Sequence, residues 1–177
     1  FCVSSQATSD NCGVSSVVND YNGTSDASDT YPVGTTTITW TVTDNSGNTA
    51  TATQDITVTD DESPSITASA DQTQTADAGS CEAVVVVSGP SSSDNCGVSS
   101  VVNDYNGTSD ASDTYPVGTT TVTWTVTDNS GNIATATQDI TITDDENPTI
   151  TSASDQTQTA DAGSCEAVAV SYTHLTL

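Results

Sequence analysis

Gly118-Thr119-Thr120-Thr121-Val122-Thr123-Trp124-Thr125-Val126-Thr127-Asp128 is followed by Asn129-Ser130-Gly131-Asn132, and then by Ile133-Ala134-Thr135-Ala136-Thr137-Gln138-Asp139-Ile140-Thr141-Ile142-Thr143. The first run alternates at period two, with Val122, Trp124 and Val126 on one face and threonine on the other, which is the pattern of a half-buried strand. The middle tetrapeptide is turn chemistry. The second run sets Ala134, Ala136, Ile140 and Ile142 inward and Thr135, Thr137, Asp139 and Thr141 outward, so the two runs form a β-hairpin.

Working outward, residues 66–70 read as a first strand, 72–76 as its irregular continuation, and 98–105 as another strand. Residues 81–88 contain four consecutive valines and predict a strand buried on both faces. No segment shows helical periodicity, and the 35 threonines, β-branched, favour strands. The expected class is all-β, with short strands packed as a sandwich. Trp40 and Trp124 lie on the apolar face of the strongest strand and predict core packing, with sugar stacking as the alternative.

The same pattern occurs twice. Asp10-Asn11-Cys12-Gly13 recurs as Asp94-Asn95-Cys96-Gly97, and Cys81-Glu82 recurs as Cys165-Glu166, both at an offset of 84 residues. Residues 10–84 match 94–168 at all but eight positions, among them Ile38 for Val122 and Val58 for Ile142. A period of this size is a module, longer than the repeats of solenoids. The expected organisation is the C-terminal part of one module over 1–60, a complete module over 61–144, and the N-terminal part of a third over 145–170. Residues 171–177 break the pattern and read as non-native sequence, which leaves the lone His174 without a functional role. No apolar run approaches the ~20 residues of a membrane span, so direct membrane insertion of this segment is not expected.

The chain carries 24 acidic residues and no lysine or arginine, for a formal net charge of −24. A protein without fixed cations cannot neutralise phosphates, which excludes nucleic acid and anionic membranes as partners. It also lacks the lysine of nucleotide sites and of Schiff-base chemistry, and offers no nucleophile and base pair, so an enzyme is not expected. Its natural partners are cations.

Gly79-Ser80-Cys81, Asp94-Asn95-Cys96-Gly97, Tyr115-Pro116-Val117-Gly118-Thr119-Thr120-Thr121-Val122, Thr127-Asp128-Asn129-Ser130-Gly131-Asn132 and Ile142-Thr143-Asp144, in that order, resemble the hyalin-repeat (HYR) family. The resemblance covers essentially the whole module. It implies an immunoglobulin-like fold, an extracellular or cell-surface location and a link to adhesion, and it suggests a bacterial-type surface, adhesin or filament protein. Many members carry two further cysteines on the first and last strands, and here those strands have none.

Five cysteines in a β-module chain suggest an oxidising compartment. Within the complete module the expected disulfide joins Cys81 to Cys96. The alternative links Cys81 to the corresponding loop of the next module. Asn22-Gly23-Thr24 and Asn106-Gly107-Thr108 fit the N-glycosylation pattern, which makes Asn22 and Asn106 candidate acceptors.

Asp60-Asp61-Glu62 and Asp144-Asp145-Glu146, each followed within two residues by proline, open successive modules. Adjacent carboxylates with no basic residue to relieve them call for a hard divalent ion, and calcium takes six to eight oxygens from such groups. In a sandwich, the loops holding Asp94 and Asn95 and holding Asp128, Asn129 and Asn132 lie at the end where the chain enters. The expected calcium site therefore combines Asp60, Asp61 and Glu62 with those two loops and repeats at Asp144, Asp145 and Glu146. The function this predicts is structural, an extracellular array of like repeats stiffened by calcium into a stalk or filament. The alternative is an adhesin segment whose modules bind glycans or another surface. The Thr-rich faces also invite an ice-binding role, but strand solvent faces explain them.

Overall fold

The computed structural model describes residues 7–169. It divides into two compact units, one ending at Asp145 and one beginning at Glu146. The first holds strands β1 (Val14–Asn19), β2 (Gly34–Asp44), β3 (Thr49–Val58), β4 (Ser65–Thr67), β5 (Gln72–Thr75), β6 (Glu82–Val85), β7 (Ser91–Ser93), β8 (Val98–Asn103), β9 (Asp113–Pro116), β10 (Gly118–Asp128) and β11 (Ile133–Thr143). Among the described residues no helix is long and apolar enough to cross a membrane.

Strands β4–β11 form an immunoglobulin-like β-sandwich. One sheet has the order β5-β11-β10-β8, and the pairs β4-β7 and β6-β9 make the other layer. The hairpin β10-β11 pairs from Gly118–Ile142 to Thr127–Ile133 without a break, as its alternation requires. Between the layers lie Ala83, Val85, Val87, Ala111, Tyr115, Val122, Trp124, Ile140 and Ile142, all buried. Trp124 is fully enclosed, as expected of core packing. Gln138, buried on the same inward face, accepts a hydrogen bond from Trp124 Nε1 at 3.4 Å and donates to the Ala70 carbonyl at 2.8 Å. It lets a buried indole N–H and a loop carbonyl both find partners.

The four-valine run is not buried on both faces. Ala83, Val85 and Val87 face the core, whereas Val84 is 63% and Val86 80% exposed. The pair β6-β9 is an outer layer, and among the described residues its far side is left exposed, so an apolar run here has only one buried side.

The connection from β8 to β9 is a polar knot. Asn103, 3% exposed, accepts from the N–H groups of Tyr105 and Asn106, both at 2.9 Å. Its Nδ2 donates to Asn106 Oδ1 at 2.9 Å and to the Thr108 carbonyl at 2.7 Å. Tyr105 stacks on Tyr115 with ring centroids 4.3 Å apart, and their hydroxyls donate to the carbonyls of Thr114 and Ala111. Strands β1-β2-β3 form a three-stranded sheet that repeats β8-β10-β11. There Asn19 makes the same contacts to Tyr21, Asn22 and Thr24, and Tyr21 stacks on Tyr31, whose hydroxyl donates to Ala27.

The predicted Cys81–Cys96 disulfide does not form. The Cys81 carbonyl accepts from Val117 N–H, just before β10, and the Cys96 carbonyl accepts from Asn129 Nδ2, just after it. The length of β10 separates them, about 33 Å at 3.3 Å per residue. A disulfide needs Cα atoms within about 7 Å. Both cysteines are free.

In the second unit, residues 146–169 form no strand. A turn is closed by Asp161 N–H to the Glu166 carbonyl and Ser164 N–H to the Asp161 carbonyl, both at 2.9 Å. Residues 171–177, with His174, lie outside the described residues.

Two predictions follow from this packing. Burial, then the neighbouring Tyr105 and Asp113, push the Tyr115 hydroxyl from an ordinary value of 10 up to about 12. Folding therefore favours its protonated form, and the stability this gives is whole below pH 10 and drains away as the pH rises through about 12. Chemical denaturation measured across that window should show the fall, and Tyr115→Phe should flatten it. Asn103→Ala leaves the N–H groups of Tyr105 and Asn106 without their acceptor, and should lower stability by about 1–3 kcal/mol in thermal unfolding.

Candidate cation site at the module entrance

The linker after β3 meets two loops of the following sandwich, as the topology predicts. Asn132 Nδ2 donates to the Asp60 carbonyl and Asn95 Nδ2 to Glu62 Oε2, both at 3.2 Å. The ligand atoms of Asp60, Asp94 and Cys96 all lie within 4.8 Å of one another, each residue half-buried. Asp60 Oδ1 accepts from Glu62 N–H at 3.2 Å. Asp60 Oδ2 is buried and has no hydrogen-bond partner. An orphaned carboxylate oxygen beside a second carboxylate is costly unless a cation sits between them.

Other predicted ligands are spent on local structure. Asp128, 2% exposed, uses Oδ1 to accept from the N–H groups of Ser130 and Asn132, both at 2.8 Å. Its Oδ2 accepts from Asn132 Nδ2, also at 2.8 Å. Burial raises the Asp128 carboxyl, but the Asn132 side chain and the N–H groups of Asn132, Ser130 and Gly131 outweigh it and hold it below the usual carboxylate range. Asp128 thus closes the β10-β11 turn, as Asp44 does for β2-β3 through Ser46 and Asn48. Asn129 Nδ2 donates to the Cys96 carbonyl at 2.8 Å and pins the Asp94 loop to the hairpin. That clamp explains Gly97: at φ +95° a Cβ there would lie 2.8 Å from Asn129 Nδ2.

Asp61 is exposed and adds no atom to the cluster. Asp144, Asp145 and Glu146 are exposed too, whereas Asp60 is half-buried. The repeat offset puts the counterpart of the Asp94 loop at residue 178, past the sequence in hand.

Cys96 is the member that the sequence assigned elsewhere. Burial pushes its thiol up, and the neighbouring carboxylates of Asp60, Asp94 and Asp128 push the same way. It is a neutral thiol among carboxylates. Its neighbour Asp94, whose Oδ1 accepts the Cys96 N–H at 2.8 Å, was the available signal.

Asn106 is exposed but fully engaged. Its Oδ1 accepts from Asn103 Nδ2 and from the N–H and hydroxyl of Thr108, and its Nδ2 donates to the Asp110 carbonyl at 2.9 Å. Asn22 makes the same set.

The sequence matches the HYR domain over residues 4–58 and again over 59–142. It is 35% identical over 109 residues to Hyalin of Strongylocentrotus purpuratus, covering 60% of this chain and 9% of that protein. Against Hyalin of Lytechinus variegatus it is 33% identical over 128 residues, covering 71% of this chain and 23% of that protein. The chain thus spans a small part of the curated relatives it matches. Neither gives support to a bacterial-type setting. With two adjacent copies of the module across most of its length, the chain belongs to the HYR domain family.

Proposed function

We propose that the chain is a segment of an extracellular, adhesion-type repeat array whose joints are stiffened by calcium, so that successive modules form a stalk or filament. The observation that carries this reading is the buried, unpartnered Oδ2 of Asp60, whose carboxylate clusters with that of Asp94, in a chain without lysine or arginine. Asp60 and Asp94 would hold the ion, with Glu62, Asn95 and backbone carbonyls as further oxygen donors, a hard set suited to calcium. Cys96, kept protonated by its surroundings, stands outside that set. Tying the linker to both loops of the next module removes the freedom of a hinge that like charges would otherwise splay.

A scaffold role also fits the distribution of aromatic groups. Trp40, Trp124, Tyr31 and Tyr115 are buried, and Tyr21 and Tyr105 stack on their partners with hydroxyls already donating. Among the described residues little aromatic face remains for sugars, which weighs against glycan recognition as the main task. Carbohydrate carried on Asn22 and Asn106 belongs to this reading of an extracellular chain, and the intact mass of native material should exceed that of the polypeptide by two glycans.

The calcium joint is tested on the whole chain by thermal unfolding in calcium and in chelator. Calcium should raise Tm, by an amount that grows with concentration as binding to the folded state requires. Asp60→Asn should remove most of the increase, while Asp139→Asn, away from the joint, should keep it. Equal Tm in calcium and chelator overturns the reading, as does a rise with cadmium but not calcium, which would make the thiol a ligand.

A further inference from the structure

We propose that Asn106 and Asn22 are modification sites gated by the fold: hydrogen bonds keep each asparagine intact while its loop is closed, and opening of the loop releases it to cyclise with the following glycine and become aspartate or isoaspartate.

The chemistry lies in the pairs Asn106-Gly107 and Asn22-Gly23. An asparagine side chain reaches the next backbone nitrogen, and glycine has no Cβ to hinder the approach. The Gly107 nitrogen gives up its proton and attacks Asn106 Cγ. The bond from Cγ to Nδ2 then breaks, and Nδ2 leaves as ammonia with that proton. Water opens the resulting cyclic imide. Cleavage at one ring carbonyl gives aspartate, and at the other isoaspartate, whose main chain runs through the former side chain and is longer by a methylene. Water is the co-reactant, and both pairs are exposed to it. Other asparagines are placed less well: β-branched Thr49 and Ile133 follow Asn48 and Asn132, and Asn147 precedes Pro148, which has no N–H.

The closed loop occupies both reacting groups. Gly107 N–H donates to the Asn103 carbonyl at 3.1 Å, so the nucleophile is engaged. Asn106 Oδ1 is held by Asn103 Nδ2 at 2.9 Å and by the N–H and hydroxyl of Thr108. Its Nδ2, the group that has to leave, donates to the Asp110 carbonyl at 2.9 Å. Packing adds little to this restraint, since a Cβ on Gly107 would meet nothing within 4 Å. The latch is Asn103, 3% exposed, which holds Gly107 through its carbonyl, Asn106 through Nδ2, and the N–H groups of Tyr105 and Asn106 through Oδ1. Asn19 closes the same latch, with Gly23 N–H to the Asn19 carbonyl at 3.0 Å and Asn22 Nδ2 to the Asp26 carbonyl at 2.9 Å.

Conversion runs one way. A carboxylate at 106 cannot donate to the Asp110 carbonyl and faces it with a negative charge instead, while the longer isoaspartate backbone breaks the spacing of the bonds from Asn103 to Thr108. A module that has opened thus keeps a chemical record of it. Carbohydrate on Nδ2 would block the step, so glycosylation and cyclisation are exclusive fates of one nitrogen.

The test uses the whole chain made without carbohydrate, held in mildly alkaline buffer with and without urea, with peptide mapping of aspartate and isoaspartate at positions 106 and 22. Both asparagines should convert in urea and persist in the folded chain over the same time, because attack waits on local opening. Asn103→Ala should raise the folded-state rate at Asn106 about tenfold or more and leave Asn22 unchanged. Thr108→Val, which removes one donor to Asn106 Oδ1 and leaves Asn103 in place, should raise it less. Converted chain returned to native buffer should melt below its parent. Conversion at Asn106 as fast in the folded chain as in urea, an Asn103→Ala variant that speeds neither site or both alike, or a converted chain that melts like its parent overturns the proposal.

Discussion

A polypeptide with 24 carboxylates and neither lysine nor arginine has to hold its acids with backbone N–H groups and with asparagine, serine and threonine. The structure is organised around that constraint. Asp104 Oδ1 accepts the Thr123 N–H and Asp139 Oδ1 the Thr121 hydroxyl, both at 2.7 Å, and Asp110 Oδ1 accepts the Ser112 N–H at 2.9 Å. Asp20, Asp55 and Asp26 repeat these contacts to Thr39, Thr37 and Ser28. Serine donors depress Asp26 and Asp110, and the Thr39 N–H depresses Asp20, so these acids favour the fold when ionised and cease to as the pH falls through their lowered values. Each carboxylate fixes a turn or a strand crossing that a salt bridge would fix elsewhere.

Against that background Asp60 is the departure. It lies where a module begins, its Oδ2 buried without a donor and Asp94 beside it. The same economy that satisfies Asp128 within one turn leaves Asp60 Oδ2 without a donor.

Much of the fold was legible because it is local. The alternation over 118–128 and 133–143 specified the hairpin, its inward face and its turn, and the repeat offset specified the module. The parts that were not legible depend on distant partners. Whether Val84 and Val86 are covered depends on whether a layer lies over β6, and nothing in their own sequence reports that. Gln138 sits among inward apolar residues because Trp124 and Ala70 need its amide, which alternation alone does not reveal. Of the site, Asp60, Glu62, Asp94, Asn95 and Asn132 are brought together as topology requires. Asp128 and Asn129 serve the scaffold, because short polar side chains beside a turn find the nearest N–H or carbonyl first. Cys81 and Cys96 are 15 residues apart in sequence but sit at opposite poles, since the chain between them follows the sandwich's length.

The claim that the joint takes a cation rests on one carboxylate, and the carboxyl-carbon resonances of the aspartates report on it directly. In a carbon-labelled chain titrated with calcium, Asp60 and Asp94 should shift together and saturate at one ion per complete joint, while Asp128, already bonded within its turn, stays in place. Resonances that do not move, or that drift weakly and equally at all exposed aspartates, would contradict it.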